Sequence, residues 1–234
     1  MIGCIIQARM GSTRLPGKIL EKVDETNHVL KFLINQLKYS RLLDKIIIAT
    51  TRNVEDDIIV EFANHNNLEN FRGDENNVLN RYFETAKKFS LDAIVRITSD
   101  NPLIDPELVD EGIQIFNSKK LDVFTNNQIK SFPYGVVFEI FSFDALERIE
   151  KIVNTSSDKE HVTQFFYSNR DKFNIYDLKF KRDLSHIHCS IDTLDDLKFI
   201  RELIKKIEKR PILLNDIISA IEKFPELLDI NNKN

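Results

Sequence analysis

The loop after the first apolar segment combines glycine, hydroxyl and cationic residues. It reads QARMGSTRLPGK, residues 7–18, and includes Arg9, Arg14 and Lys18, while no acidic residue precedes Glu21. Glycine lets the backbone approach a ligand closely, exposed amides donate to phosphate oxygens, Arg can hold two oxygens and Lys adds a compact charge. The loop therefore indicates a polyphosphate site, and a solvated basic turn is the structural alternative.

Two familiar phosphate-binding motifs do not match this loop. Five residues separate Gly11 from Gly17, one more than a P-loop allows. Ile19 stands where that motif needs a metal-binding Ser or Thr, and Pro16 removes an amide from the phosphate cradle. The dinucleotide fingerprint G-x-G-x-x-G is also absent. A longer cationic loop better suits a triphosphate whose pyrophosphate departs.

Two acidic residues follow apolar segments at distant points of the sequence. Asp100 closes the stretch AIVRITSD, and Asp192 lies between an apolar run and the last long helical segment. Ligands bind at the carboxyl ends of strands in such sheets, and Mg²⁺ prefers a few carboxylates completed by phosphates and water. We therefore expect Asp100 and Asp192 to hold magnesium. The alternative for any single Asp is a helix cap or a turn, which we assign to Asp105 and keep open for Asp195 and Asp196.

Strands and helices must alternate to position these residues. Short β-branched runs predict strands, and helical spacing separates them, which implies an α/β fold with a mainly parallel sheet covered on both faces. The predicted strands are Ile2–Ile6, Lys45–Ala49 and Ala93–Ile97, and the predicted helices are His28–Leu43, Asp56–Ala63 and Asn77–Phe89. The functional loops should then follow the strands, at one edge of the sheet.

The second half of the chain departs from this alternation. An aromatic-rich stretch predicts a β insertion, and residues 130–182 are our candidate lid or dimerisation segment within a single domain, 1–228, followed by a frayed tail, 229–234. The other predicted helices are Pro106–Phe116, Asp158–Asn169 and Leu194–Ile207, and the other predicted strands are Leu121–Thr125, Asn174–Phe180 and a last strand in HIHCSID.

Composition excludes several classes of function. The 234 residues carry a net charge of -4, which argues against broad nucleic-acid binding through a basic surface. Cys4 and Cys189 lie far apart without metal-ligand spacing, so we interpret both as reduced core thiols. No apolar run approaches a membrane span and no signal-peptide pattern is present, so we expect a cytoplasmic protein without membrane or nucleic-acid partners.

The chain closely resembles the spore-coat-polysaccharide and acylneuraminate cytidylyltransferase family. The resemblance rests on the blocks IIQARMGSTRLPGKIL, RGDENNVLNRY, RITSDNPLIDPELVD, FPYGVVFEIFSFDAL, DKEHVTQFFY and SIDTLDDL, which extend to about Leu197. It implies a Rossmann-like nucleotidyltransferase fold, CTP as a substrate, Mg²⁺ as the cofactor and a homodimer. It also implies that the first loop binds the CTP phosphates.

The resemblance also distributes roles over the matching residues. The implied catalytic residues are Arg9, Lys18, Asp100 and Asp192, of which Asp100 and Asp192 are the metal ligands. The implied nucleotide-binding residues are Ala8, Arg9, Gly11, Ser12, Thr13, Arg14, Lys18, Arg72, Gly73, Asp74 and Arg81. The implied acceptor-binding residues are Asn101, Tyr134, Gly135, Glu139, Glu160 and His161, with Thr163 beside them. Two structural alternatives stay open: a helix cap at Asp74 or Asn76, and a structural role for His161.

The resemblance implies a function: transfer of CMP from CTP to the oxygen of an acidic sugar-like acceptor, such as a nonulosonic acid, in surface polysaccharide or glycan synthesis. The acceptor oxygen would attack the α-phosphorus in line, pyrophosphate would leave, and no covalent enzyme intermediate would form. Two alternatives remain: a small phosphorylated or acidic acceptor, and a catalytically silent nucleotide-binding module.

Overall fold

A computed structural model describes residues 1–12 and 14–231, and its strands form one seven-stranded sheet in the order β3-β2-β1-β4-β6-β5-β7. The strands are β1 (Ile2–Gln7), β2 (Lys45–Thr51), β3 (Glu69–Gly73), β4 (Ala93–Thr98), β5 (Val123–Thr125), β6 (Glu139–Ser142) and β7 (Ile175–Asp177). The α-helices are α1 (Val29–Leu37), α2 (Asp57–His65), α3 (Val78–Lys88), α4 (Pro106–Lys119), α5 (Phe143–Ile152), α6 (Ser156–His161), α7 (Gln164–Ser168), α8 (Leu194–Lys205) and α9 (Leu214–Lys223). Short 3-10 helices span Lys18–Leu20, Val54–Asp56, Arg170–Lys172 and Pro225–Ile230.

Helices cover both faces of the sheet, as the apolar strands require. Alternate residues of β1 point to opposite faces, so Cys4 and Ile6 join one hydrophobic cluster and Ile5 joins the other. The first cluster is completed by α1, α4, α8 and α9, and the second by α3 and α5. The predicted α/β fold with a mixed, mainly parallel sheet is confirmed, because β6 alone among the described strands runs antiparallel to its neighbours.

Four predicted elements differ from the structure. The strand predicted over Asn174–Phe180 is reduced to β7, Ile175–Asp177. The first helix ends at Leu37 rather than Leu43. The helix predicted over residues 158–169 is two short helices, since Val162 adopts a positive φ of 54° between them. The last predicted strand is an extended segment without a ladder, whose isolated bridge joins His188 to Tyr134. Sequence analysis also missed α5 and α9.

The segment 130–182 is built into the domain. It contributes β6 and β7 to the central sheet, together with α5, α6 and α7, and whether it also acts as a lid or in dimerisation stays a prediction. The predicted fraying from residue 229 is wrong for 229–231, because Asn231 is buried and its amide donates to the carbonyl of His188. Residues 232–234 lie outside the described part of the chain.

Two local predictions are confirmed at helix ends. Asp105 caps α4, with Oδ1 accepting hydrogen bonds from the amides of Glu107 and Leu108. Asp196 completes a capping box with Thr193 at the start of α8. Within residues 1–12 and 14–231, no helix has the length and apolarity needed to cross a membrane.

Both cysteines should resist thiol reagents in the folded protein. Cys4 and Cys189 are fully buried, and this burial raises the pKa of Cys189 to about 12 and raises that of Cys4 as well. We expect no reaction with Ellman's reagent under native conditions and reaction of both thiols in denaturant. Rapid native labelling of either cysteine would contradict this packing.

Candidate active site

Three chain segments meet at the carboxyl edge of the sheet. The cationic loop leaves β1, the segment 99–101 leaves β4, and the extended segment before α8 passes beside them. The amide of Ile191 donates to the carbonyl of Asp100 over 2.9 Å, which fixes the last two segments to each other. Asp100 and Asp192 therefore lie close together, as predicted. The segment directly before Asp192 is extended but is not one of the strands of the sheet.

The side chain of Lys18 lies between the two acids. Its Nζ donates to Asp100 Oδ2 at 2.8 Å, to Asp192 Oδ1 at 3.0 Å and to the carbonyl of Ile191 at 2.6 Å. The preceding residue, Gly17, has a φ of 72°, a conformation that glycine adopts without strain, and it starts the 3-10 helix that carries Lys18. All three ammonium hydrogens of Lys18 are thus used.

Electrostatics keep this group charged. Burial lowers the pKa of Lys18, but the carboxylates of Asp100 and Asp192 outweigh burial and raise that pKa above its ordinary value. Arg14 adds a second cation, with its Nη2 3.0 Å from Asp192 Oδ2. Asp192 itself is held at the start of α8, where its amide donates to Asp196 Oδ2. The two acids therefore lie in a preformed cationic setting.

The rest of the cationic loop is anchored by acidic residues that sequence analysis missed. The buried carboxylate of Asp56 accepts from the amide of Met10 at 2.7 Å. Arg9 Nη1 lies 3.3 Å from Glu75 Oε1, and Glu75 also accepts from Asn53. Glu75 thus joins the loops that follow β1, β2 and β3.

The remaining predicted residues of this loop are Ala8, Gly11, Ser12 and Thr13. Ala8 is buried and its amide donates to the carbonyl of Ala49, while Gly11 and Ser12 are not enclosed in the core. Thr13 lies outside the described residues, so its predicted phosphate contact stays a prediction.

The predicted nucleotide-binding residues Arg72, Gly73 and Arg81, in β3 and in α3, have supporting roles in the structure. Arg72 donates to the carbonyls of Thr51 and Asn53. Arg81 is 1% exposed, packs against Gly73 and donates to the carbonyl of Asp74. Direct nucleotide contact by Arg81 is inconsistent with this burial.

The side chain of Asp74 stabilises a turn in the loop after β3. Asp74 Oδ1 accepts from the amides of Asn76 and Asn77, which lowers the pKa of Asp74. The helix cap of α3 is Asn77, so neither Asp74 nor Asn76 is the capping residue. Asp74 is exposed, so its predicted contact with the nucleotide stays a prediction.

A cavity of about 630 Å³ adjoins Asp100. Five of the six predicted acceptor-binding residues line it: Asn101, Tyr134, Gly135, Glu139 and His161. Glu160 is exposed on α6 and does not line the cavity. The cavity thus brings the other five residues together, and that it binds an acceptor stays a prediction.

A network of side-chain hydrogen bonds around Glu139 forms one wall of the cavity. Sequence analysis recognised only part of it. Glu139 accepts from Arg96 Nη1 at 2.6 Å, from Thr163 Oγ1 at 2.9 Å and from the Tyr167 hydroxyl at 2.5 Å. Burial and the neighbouring Glu139 carboxylate raise the pKa of Tyr167, so its hydroxyl stays protonated as a donor. A single Arg inside the apolar run of β4 was the signal for this buried ion pair.

Gly135 connects the cavity wall to the segment that carries Asp192. The amide of Tyr134 donates to the carbonyl of Ile187, and the amide of Cys189 donates to the carbonyl of Tyr134. Gly135 has a φ of 95°, and a Cβ placed on it would lie 2.5 Å from the carbonyl carbon of Cys189 and still closer to the amide nitrogen of Ser190. No other residue type fits this contact without displacing the backbone.

Comparison with known proteins assigns the chain to a family. A family model described as "Cytidylyltransferase" matches residues 3–231. The chain belongs to the cytidylyltransferase family. Its sequence is 38% identical over 230 residues to an uncharacterized protein of Methanocaldococcus jannaschii, covering 97% of this chain and 93% of that one.

Two further relatives support the same assignment. The spore coat polysaccharide biosynthesis protein SpsF of Bacillus subtilis is 30% identical over 230 residues, covering 95% of this chain and 94% of SpsF. A solved cytidylyltransferase structure from Leptospira borgpetersenii superposes with a TM-score of 0.93 at 33% identity, covering 100% of this chain and 98% of that chain. Sequence and fold therefore place the chain in this family along its whole described length.

A Gly135→Ala substitution should disturb the junction between the cavity and Asp192. We expect a loss of at least about 2 kcal/mol in the free energy of unfolding, because the new Cβ meets backbone atoms and φ is positive. Urea denaturation measures the loss. Gly11→Ala is the matched control: its Cβ would meet no atom nearer than Glu75 Oε1 at 3.9 Å. Equal stability of the two variants would contradict the close backbone contact at Gly135.

Proposed function

We propose that the protein transfers CMP from CTP to an oxygen of an acidic, sugar-like acceptor and releases pyrophosphate. The observation that carries the proposal is the placement of Asp100 and Asp192 around one ammonium, between a cationic loop and a polar cavity. Membership of the cytidylyltransferase family supports CTP as the donor. The similarity to SpsF supports a role in polysaccharide synthesis.

The cations of the loop suit the triphosphate. Arg9 and Arg14 keep 43% and 61% of their side chains exposed, so both guanidinium groups can turn toward phosphate oxygens. Arg binds such oxygens through two parallel hydrogen bonds, and charge stabilisation is greatest where charge develops as pyrophosphate leaves. Lys18 is committed to the two acids, so its main task is to keep them together and to balance their charge.

Magnesium fits the donor chemistry of the two acids. Lys18 uses Oδ2 of Asp100, and within the described residues Oδ1 of Asp100 makes no hydrogen bond. No cluster of three or more His, Cys, Asp or Glu side chains suited to a metal occurs among residues 1–12 and 14–231, so phosphates and water would supply the other ligands. When bound, magnesium would polarise the α-phosphate.

The acceptor would lie in the cavity beside Asp100. Its oxygen would approach the α-phosphorus from the side of Asn101 and Tyr134, opposite the departing pyrophosphate on the cationic loop. His161 lines the same cavity, but it is exposed and makes no hydrogen bond through its ring among the described residues. The protein thus acts mainly by positioning the reactants and neutralising their charge.

Pyrophosphate release tests this function. We incubate the protein with CTP, Mg²⁺ and a panel of sugar acids, and we expect release from CTP in preference to UTP, ATP or dTTP. Asp100→Asn should retain CTP binding and lose pyrophosphate release by at least about a hundredfold, because a neutral amide is a poor magnesium ligand. The matched control is Asp171→Asn, which changes an exposed Asp that makes no side-chain hydrogen bond among the described residues.

Three results would count against the proposal. A fully active Asp100→Asn protein, or wild-type activity that survives EDTA, would show that the acids only organise the loops. CTP binding in calorimetry without pyrophosphate release from any acceptor would favour the silent nucleotide-binding module.

Arg14→Ala should slow the reaction without unfolding the protein. Arg14 is largely exposed, so its loss removes charge from the phosphate site at little cost in stability. We expect turnover at saturating acceptor to fall at least about tenfold. The control Arg41→Ala removes an exposed cation near the start of β2 and should leave turnover unchanged. Equal kinetics of the two variants would remove Arg14 from the phosphate site.

A further inference from the structure

We infer that Arg96 binds the carboxylate of the acceptor, and that Glu139 positions Arg96 instead of contacting the acceptor. The inference rests on the proposed function, and it replaces Glu139 in the predicted set of acceptor-binding residues with a residue that sequence analysis did not single out. Arg96 would then determine whether acidic acceptors are preferred over neutral ones.

The lining of the cavity is polar but nearly free of unpaired charge. Its amide side chains are Asn101, Asn127, Gln128 and Gln164, and its hydroxyl side chains are Thr98, Tyr134, Thr163, Tyr167 and Ser168. Arg96 and Glu139 carry the formal charges of the lining, and His161 is its titratable group. Amides and hydroxyls suit an acceptor with many hydroxyl groups, and a carboxylate on that acceptor needs a cation.

Glu139 has little capacity left for a ligand of its own. Its carboxylate is 5% exposed as a side chain and accepts hydrogen bonds from Arg96, Thr163 and Tyr167. A carboxylate has about four acceptor sites, so one stays open on Glu139, but this side chain is nearly enclosed and a ligand hydroxyl would compete with the donors already bound. The bond from Arg96 fixes the orientation of its guanidinium, and the other two bonds hold Glu139 in place.

Arg96 keeps donors that the protein does not use. Its Nη1 donates to Glu139, whereas its buried Nε has no hydrogen-bond partner among the described residues. The side chain is 19% exposed and lines the cavity, and the Tyr82 ring lies 5.9 Å from its Cζ. The bond to Glu139 and the nearby ring restrict the orientation of the guanidinium, and its unused N–H groups match the hydrogen-bonding geometry of a carboxylate.

The other cations of the site are less suited than Arg96 to bind an acceptor carboxylate. The three hydrogens of the Lys18 ammonium are taken by Asp100, Asp192 and a carbonyl, and Arg9 and Arg14 do not line the cavity. Because Glu139 neutralises Arg96, directed hydrogen bonds rather than net charge would hold the acceptor. Arg96 is therefore the group that can distinguish a carboxylate from a neutral amide of the same shape.

Matched ligands and a charge-balanced variant test this role. The ligands are N-acetylneuraminic acid and 3-deoxy-manno-octulosonic acid, each compared with its own carboxamide. The variant is Arg96→Gln with Glu139→Gln, which removes both buried charges together, since removing one alone would leave the other unpaired and risk unfolding. The control is Arg148→Gln with Asp122→Asn, the same change at a surface ion pair with a separation of 3.1 Å.

The wild-type protein and the control should bind at least one acid at least about tenfold more tightly than its amide in calorimetry, and should show the same preference in kcat/KM. The Arg96/Glu139 variant should lose most of this preference through KM for the acceptor, while KM for CTP stays within about twofold of wild type.

Two outcomes would overturn the inference. One is a folded variant that still prefers the acid, because Arg96 would then be only a structural link between β4 and β6. The other is a wild-type protein that binds acids no better than their amides. Failure of the proposed function is distinguishable, since a wild-type protein that binds the acids without releasing pyrophosphate still reports on Arg96 through binding.

Discussion

The ammonium of Lys18, enclosed by Asp100, Asp192 and the carbonyl of Ile191, is the interaction on which the site depends. Two carboxylates in a partly buried setting repel each other, and removing the cation between them would cost about 3–5 kcal/mol. The cation comes from the loop after β1, one acid from the end of β4 and the other from the start of α8. One side chain thus fixes three segments that are distant in sequence.

The acceptor cavity is coupled to this centre through the backbone. The segment before Asp192 is held on one side by the Ile191–Asp100 hydrogen bond and on the other by the close contact with Gly135. The chain that follows Gly135 enters β6 at Glu139, which orients Arg96. A rigid sheet, with β4 contributing both Arg96 and the approach to Asp100, therefore sets the distance between the group that would hold an acceptor and the acids that would hold the metal.

Much of this arrangement is predictable from sequence, because the central strands are apolar, β-branched runs and functional loops follow them. Asp100 was found this way because it follows β4, whereas Asp192 follows an extended segment whose bridge to Tyr134 is isolated. Prediction from local sequence fails where contacts between distant residues determine the structure. Val162 interrupts a predicted helix with its positive φ. Glu139 binds Arg96 and Tyr167, which lie 43 and 28 positions away in the sequence. The burial of Arg81 was missed for the same reason.

A crystal structure of the protein with CTP, or a slowly hydrolysed analogue, and Mg²⁺ would show where the nucleotide lies. We expect the β and γ phosphates on the cationic loop beside Arg9 and Arg14, and the α-phosphate facing Asp100 and Asp192 through the metal, with the acceptor cavity open on its far side. A nucleotide bound elsewhere, or a triphosphate whose α-phosphate lies away from both acids, would contradict it.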